Sequence, residues 1–175
     1  NLFAWIRERG GKPTLWKTGH SLIKAKMKES GALLAGEMSG HVFFKERWYG
    51  FDDGLYTGAR LLEYLSRQSD LNATLHGLPD SVNTPELQIW LKEGEHYALI
   101  EKLRETARFP TAQEIITLDG LRVEYADGFG LMRPSNTTPV IVLRFEGDNE
   151  DALKRIQDEF RQVLLTAEPG LDLPF

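Results

Sequence analysis

The sequence predicts an α/β unit over residues 1–80 followed by a smaller α+β unit over residues 81–175, the latter an antiparallel sheet with helices on one face. Three observations carry this reading. In the first part, short apolar segments alternate with stretches of helical periodicity. Residues 69–85 are polar and broken by Gly77, Pro79 and Pro85, which places a boundary near Pro79. Beyond it, extended segments follow one another and then meet a helix, the pattern of a meander covered on one side.

Residues 2–9 read as a helix ended by Gly10-Gly11, with at most Asn1 as its cap. A βαβ unit needs a strand ahead of that helix and none is present, so the chain is expected to begin inside a domain. Thr14-Leu15-Trp16-Lys17 reads as a short strand. Thr18-Gly19-His20-Ser21 then turns into a helix, with Ser21 as N-cap, Leu22, Ile23 and Met27 on one face, and Gly31 as the stop. Ala32-Leu33-Leu34-Ala35 is a buried-strand candidate, residues 36–40 form a turn, and Val42-Phe43-Phe44 resumes extended structure. After Asp52-Asp53-Gly54 comes a helix in which Leu55, Ala59, Leu62 and Leu65 keep helical spacing and the aspartates favour the N-terminal dipole.

In the second unit, residues 95–109 are helical, with Leu99, Ile100 and Leu103 apolar. Residues 115–118, 121–126 and 140–145 read as strands. Asp119-Gly120 is a hairpin signal and Asp127-Gly128 sits where the next turn falls. Asp148 or Asn149 caps a final helix with Leu153, Ile156, Phe160, Val163 and Leu164 at core spacing.

The chain has 175 residues, of which 41% are hydrophobic and 27% charged, enough for a core and unlike a disordered chain. Cysteine is absent, which excludes disulfides, cysteine zinc sites and a thiol nucleophile, and fits a cytoplasmic setting. No apolar stretch approaches the roughly 20 residues of a membrane helix, and the start lacks the pattern of a signal peptide. The net charge is −5, but residues 1–80 carry 11 basic and 9 acidic groups against 10 and 17 in residues 81–175. The first 30 residues hold seven basic and two acidic groups, which either steer a small anion or form a solvated helix face. Duplex binding calls for a wider basic surface, so neither nucleic acid nor membrane is an expected partner.

Three segments have the composition of ligand sites. Arg133-Pro134-Ser135-Asn136-Thr137-Thr138-Pro139 combines a planar guanidinium fork with short hydroxyl and amide donors between two stiffening prolines, a suitable set for phosphate. Gly36-Glu37-Met38-Ser39-Gly40-His41 offers a carboxylate and a hydroxyl between glycines, suited to a polyhydroxylated ligand, and Glu37 with His41 also reads as an acid/base pair. Lys17-Thr18-Gly19-His20-Ser21 runs a strand into a helix start, a natural anion site that lacks the P-loop pattern. Each segment taken singly is equally readable as a plain turn.

Other chemistries find no support in the spacing. His76 and His96 stand in polar context as surface groups, and His20 and His41 are too far apart for a helical metal pair. Ser21, Ser39 and Ser135 lie outside any nucleophile elbow. Met38 and Met132 are expected in packing, and Asp52-Asp53-Gly54 in helix capping. No metal ligand and no catalytic nucleophile is assigned to this chain.

Taken together and in order, the three segments, with Val42-Phe43-Phe44-Lys45-Glu46-Arg47 following the second, closely resemble the C-terminal part of the bacterial phosphomannomutase/phosphoglucomutase family, within the α-D-phosphohexomutase superfamily. The resemblance runs essentially end to end. It implies a four-domain enzyme in which residues 1–80 are most of domain 3 and residues 81–175 are domain 4. It implies that Glu37, Ser39 and His41, in a loop with Met38 and Gly40, read the 3- and 4-hydroxyls shared by glucose and mannose. Arg133, Ser135, Asn136 and Thr137, with Pro134, would hold the non-reacting phosphate, and His20 and Lys17 would lie near the sugar or its phosphate.

The implied reaction interconverts hexose 1- and 6-phosphates through a phosphoserine and a bisphosphorylated sugar, glucose 1,6-bisphosphate, with Mg2+ as cofactor. The family's phosphoserine loop and magnesium loop do not occur in this sequence. The expected partners are therefore hexose phosphates and the N-terminal domains of the same enzyme, and the chain alone is expected to be inactive. Two alternatives stay open at this point. One is a stand-alone, non-catalytic module for phosphosugars or other anions, and the other is an interaction domain that binds no anion.

Overall fold

The structure, a computed structural model, describes residues 2–78 and 80–175. The chain divides into two compact units, Asn1–Pro79 and Asp80–Phe175.

In the first unit, α1 (Leu2–Glu8) leads into a segment without regular structure over residues 11–17. The strand expected at Thr14-Leu15-Trp16-Lys17 does not form. Strand propensity expresses itself only beside a neighbouring strand, and Trp16 instead packs its ring 4.2 Å from the Lys26 ammonium. Helix α2 (His20–Ser30) has Gly19 as its N-cap rather than Ser21, which lies one residue inside the helix. Gly31 ends it as expected, in the left-handed conformation at φ 73°, with its N–H donating to the Met27 carbonyl.

Strands β1 (Leu34–Gly36) and β2 (Val42–Phe44) pair antiparallel, with Gly36 opposite Val42. Phe43 is buried against Ile23 and Met27 in a small core. Of the segment expected to be buried, Ala32 and Ala35 pack against this core, but Leu33 and Leu34 are exposed. Helix α3 (Gly54–Leu65) is capped by Asp53, whose carboxylate accepts from Tyr56 N at 2.9 Å. No residue of α3 is buried, and Leu55 is 91% exposed. The stripe was legible as a period, but periodicity does not say what covers it.

What ties α3 down on its other side is aromatic and ionic: Tyr56 stacks on Trp48 at 4.3 Å between ring centroids, and ion pairs add to it. Arg47 donates to both carboxylate oxygens of Glu63, at 3.1 and 2.7 Å. The Arg47 hydrogen bond is the main reason that the Glu63 carboxyl is held below the usual glutamate range. A carboxylate depressed in the folded state adds stability that is present above the ordinary glutamate pKa and lost as pH falls through its folded value. Thermal midpoints of Glu63→Gln should therefore fall less steeply with acidification than those of the parent chain. Helix α4 (Leu71–His76), capped by Asp70, lies in the stretch read from sequence as a polar connection.

The second unit contains β3 (Val82–Asn83), β4 (Leu87–Trp90), α5 (Glu95–Thr106), β5 (Glu114–Ile116), β6 (Leu121–Tyr125), β7 (Gly128–Pro134), β8 (Val140–Gly147) and α6 (Glu150–Ala167). The strands form an antiparallel sheet in the order β3-β8-β7-β6-β5, with β4 also on β8. Strands β3, β4 and β7 add to the three expected from sequence. β3 and β4 are successive pieces along one edge of β8, interrupted at Pro85, which has no N–H to give the ladder. The Thr84 hydroxyl accepts from Phe145 N at 3.2 Å and keeps that edge satisfied.

Asn149 caps α6, its side chain accepting from Ala152 N at 2.9 Å. The core places Ile156, Phe160 and Leu164 of α6 and Leu99, Ile100 and Leu103 of α5 with Leu121, Val123, Met132, Ile141, Leu143 and Phe145 of the sheet. Gly130 of β7 admits Phe160 directly: a Cβ there would lie 2.3 Å from the ring. His96 corrects the surface expectation. It is 2% exposed, because it shares the inward face of α5 with Leu99, Ile100 and Leu103.

Candidate ligand-recognition loops

In the first unit, the β1–β2 connection presents Glu37, Met38, Ser39, Gly40 and His41. Glu37 N donates to His41 O at 2.8 Å and Gly40 N to Glu37 O at 3.0 Å, closing a tight turn. Gly40 takes φ 92°, a left-handed conformation that a side chain would strain. The half-buried Glu37 carboxylate accepts from Gly19 N at 3.1 Å through one oxygen and from Ser39 Oγ at 3.2 Å through the other. Two segments eighteen residues apart, the helix start at Gly19-His20 and the hairpin, thus become one surface. Lys17, His20, Met38, Ser39, Gly40 and His41 are all exposed on this unit. Met38, expected in packing, is 65% exposed at the tip.

The His41 imidazole does not take the Glu37 carboxylate as its hydrogen-bond partner. Its Nδ1 lies 2.6 Å from Asp52 Oδ2. Asp52 is positioned by an antiparallel bridge to Phe43, while Asp53 does the capping. The sequence assigns the Asp-Asp pair to helix capping, and the structure gives that role to Asp53. One acid more than a cap needs is the signal that could have singled out Asp52.

In the second unit, Arg133 and Pro134 belong to the end of β7, opposite Val142 and Ile141, and not to the loop as the sequence suggested. A sheet position holds the arginine more firmly than a loop does. The β5–β6 turn packs closely beside it: Gly120 has φ 78°, and a Cβ there would lie 2.6 Å from Arg133 Cα. One guanidinium nitrogen donates to the Pro134 carbonyl at 3.3 Å, a single use of a group with five donors.

Ser135 is buried and organises the loop from within. Its N–H donates to Val140 O at 2.9 Å, and its Oγ accepts from the amides of Thr137 and Thr138 at 3.3 Å each. Its carbonyl accepts from the Tyr97 hydroxyl of α5 at 3.2 Å, a contact that sequence reasoning missed because 38 residues separate the pair. Asn136, Thr137 and Thr138 are exposed at the rim. Among the described residues no group of three or more His, Cys, Asp or Glu is placed to hold a metal ion. No helix among them is long and apolar enough to cross a membrane.

An α/β unit carrying the Glu37 hairpin, followed by an antiparallel α+β unit carrying the Arg133 loop, has the domain III and IV fold of the phosphohexomutases. Residues 1–82 match the family model for the phosphoglucomutase/phosphomannomutase alpha/beta/alpha domain III, and residues 86–163 match that for the C-terminal domain. The chain belongs to the phosphoglucomutase/phosphomannomutase family.

It is 58% identical over 174 residues to a phosphoglucomutase of Neisseria meningitidis serogroup A, covering 99% of this chain and 38% of that protein. It is 55% identical over 175 residues to the phosphomannomutase/phosphoglucomutase of Pseudomonas aeruginosa PAO1, with the same coverage. A crystal structure of a phosphoglucomutase/phosphomannomutase family protein from Burkholderia thailandensis superposes with a TM-score of 0.93 at 64% identity, over 100% of this chain and 37% of that one. The chain therefore spans less than two-fifths of the length of these relatives.

Proposed function

We propose that the chain is the sugar- and phosphate-recognition part of a phosphomannomutase/phosphoglucomutase. The whole enzyme would interconvert hexose 1-phosphates and hexose 6-phosphates through a bisphosphorylated sugar and a phosphoserine outside this chain. Its substrates would be the glucose and mannose phosphates, with glucose 1,6-bisphosphate as intermediate or activator. The Mg2+ on which such phosphoryl transfer depends would be held by other parts of the enzyme.

One observation carries the reading: the Glu37 carboxylate joins the Lys17–His20 segment to the hairpin through Gly19 N. A charged group held half-buried beside the exposed Ser39 and His41 suits hydroxyl recognition better than a plain turn. Glu37, Ser39 and His41, framed by Met38 and Gly40, would then read sugar hydroxyls, with His20 and Lys17 beside them. Arg133 would grip phosphate, Asn136 and Thr137 would add rim donors, and Pro134 and Ser135 would shape the loop. Domain III would be residues 1–80 and the C-terminal domain residues 81–175.

An NMR titration of the chain with glucose 1,6-bisphosphate tests this. Saturable shifts at Ser39 and His41 and at Asn136 and Thr137 are expected, and a folded sample showing neither set would sink the proposal. Glu37→Ala should weaken the sugar-dependent part of binding by about 1.5 kcal/mol, the lower end for a hydrogen bond to a charged group, because the carboxylate is half-exposed. Binding of inorganic phosphate should not change. Equal losses for phosphate and phosphosugar would contradict the division of labour between the loops.

A further inference from the structure

The hydrogen bonds inside the Glu37 hairpin have a common direction. Glu37 is a carboxylate and can only accept. Ser39 spends its single hydroxyl proton on Glu37 Oε2 at 3.2 Å and is left with lone pairs. His41 Nδ1 faces the Asp52 carboxylate at 2.6 Å, and a carboxylate accepts, so Nδ1 carries a proton, and whenever the ring holds only that one proton Nε2 presents a lone pair.

We infer that Asp52 is a specificity-determining positioning residue, which makes the three hairpin side chains Glu37, Ser39 and His41 a set of hydrogen-bond acceptors and so requires the ligand to donate to them. The inference rests on the hydroxyl-reading role proposed above for Glu37, Ser39 and His41. Sugar hydroxyls satisfy this set by donating O–H. A phosphate dianion, which can only accept, finds no proton among these three side chains and is opposed by the Glu37 charge. The hairpin thus discriminates between the two ends of a phosphosugar, and that discrimination is written in side-chain protons rather than in shape.

Asp52 is the member that decides this polarity. An imidazole can place its proton on either nitrogen, whereas Glu37 has no such choice. Asn at position 52 would offer an N–H2 as readily as a carbonyl. His41 could then move its proton to Nε2 and become a donor toward the ligand.

The test has a ligand-free arm and a ligand arm, both on the full 175-residue chain in buffer alkaline enough to keep imidazoles neutral. Long-range ¹H–¹⁵N correlation of the imidazoles is expected to show His41 protonated at Nδ1, and Asp52→Asn to shift it toward Nε2–H. A His41 protonated at Nε2 in the parent chain overturns the inference whatever the chain binds. So does an Asp52→Asn variant, with the α3 amide spectrum intact, that leaves the tautomer unchanged.

In the ligand arm, glucose 6-phosphate is compared with its 3- and 4-deoxy and 3- and 4-deoxyfluoro analogues. Fluorine can accept weakly and cannot donate. The deoxyfluoro compounds should therefore bind as poorly as the deoxy ones, roughly tenfold or more below the parent sugar. Fluoro analogues that match the parent, while deoxy analogues are weaker, would overturn the acceptor set and leave hydroxyl reading standing. If all five bind alike, hydroxyl reading itself fails and the inference falls with it.

Discussion

Phe160→Ala should destabilise the second unit by about 3–5 kcal/mol, the range for removing a buried aromatic ring. Phe160 is fully buried, with ring centroids 4.8 Å from Phe109 and 5.2 Å from Phe145. It also fills the space that Gly130 leaves in β7, so the sheet cannot collapse into the cavity without moving the strand that carries Arg133. A loss of this size is a large share of a typical domain's stability. Chemical denaturation followed by far-UV circular dichroism reads it directly. A loss below about 1 kcal/mol would mean that α6 repacks and that the Gly130–Phe160 contact is not a fixed point of the fold.

Arg133→Ala should weaken the binding of every phosphosugar by about 1.5–3 kcal/mol, or about 10- to 150-fold, whichever hexose is attached. The guanidinium fork matches two phosphate oxygens at once, and its strand position keeps it oriented before the ligand arrives. Because the loss lies in the phosphate contact, inorganic phosphate should lose affinity by a similar factor, in contrast to the result expected for Glu37→Ala. Arg133→Lys should recover only part of it, since an ammonium keeps the charge without the fork. Calorimetric titration of the three chains separates these outcomes. Full recovery with lysine would show that charge alone is used.

Local patterns in the chain were enough for several elements. The Gly31 stop, the Asp53 and Asn149 caps, the β6 and β8 strands and the apolar face of α6 depend on residues within a few positions of one another. The composition of both ligand loops was legible for the same reason. β7 was harder to see, because its glycines at 128 and 130 look like turn residues until Phe160 is known to occupy the space beside one of them. β3 and β4 are short and separated by proline, and only the length of β8 makes them strands.

By itself, then, the sequence determined the order of the units, the Gly31 stop, the Asp53 and Asn149 caps and the chemical inventory of the two loops, all set by neighbours along the chain. The tertiary structure decided which groups meet. It placed Glu37 against Gly19, Asp52 against His41 and Tyr97 against Ser135, pairs separated by 18, 11 and 38 positions. It put Arg133 on a strand and left the α3 stripe exposed within the first unit. Such pairings depend on where packing brings distant backbone segments together, and residue spacing along a single chain carries no record of that.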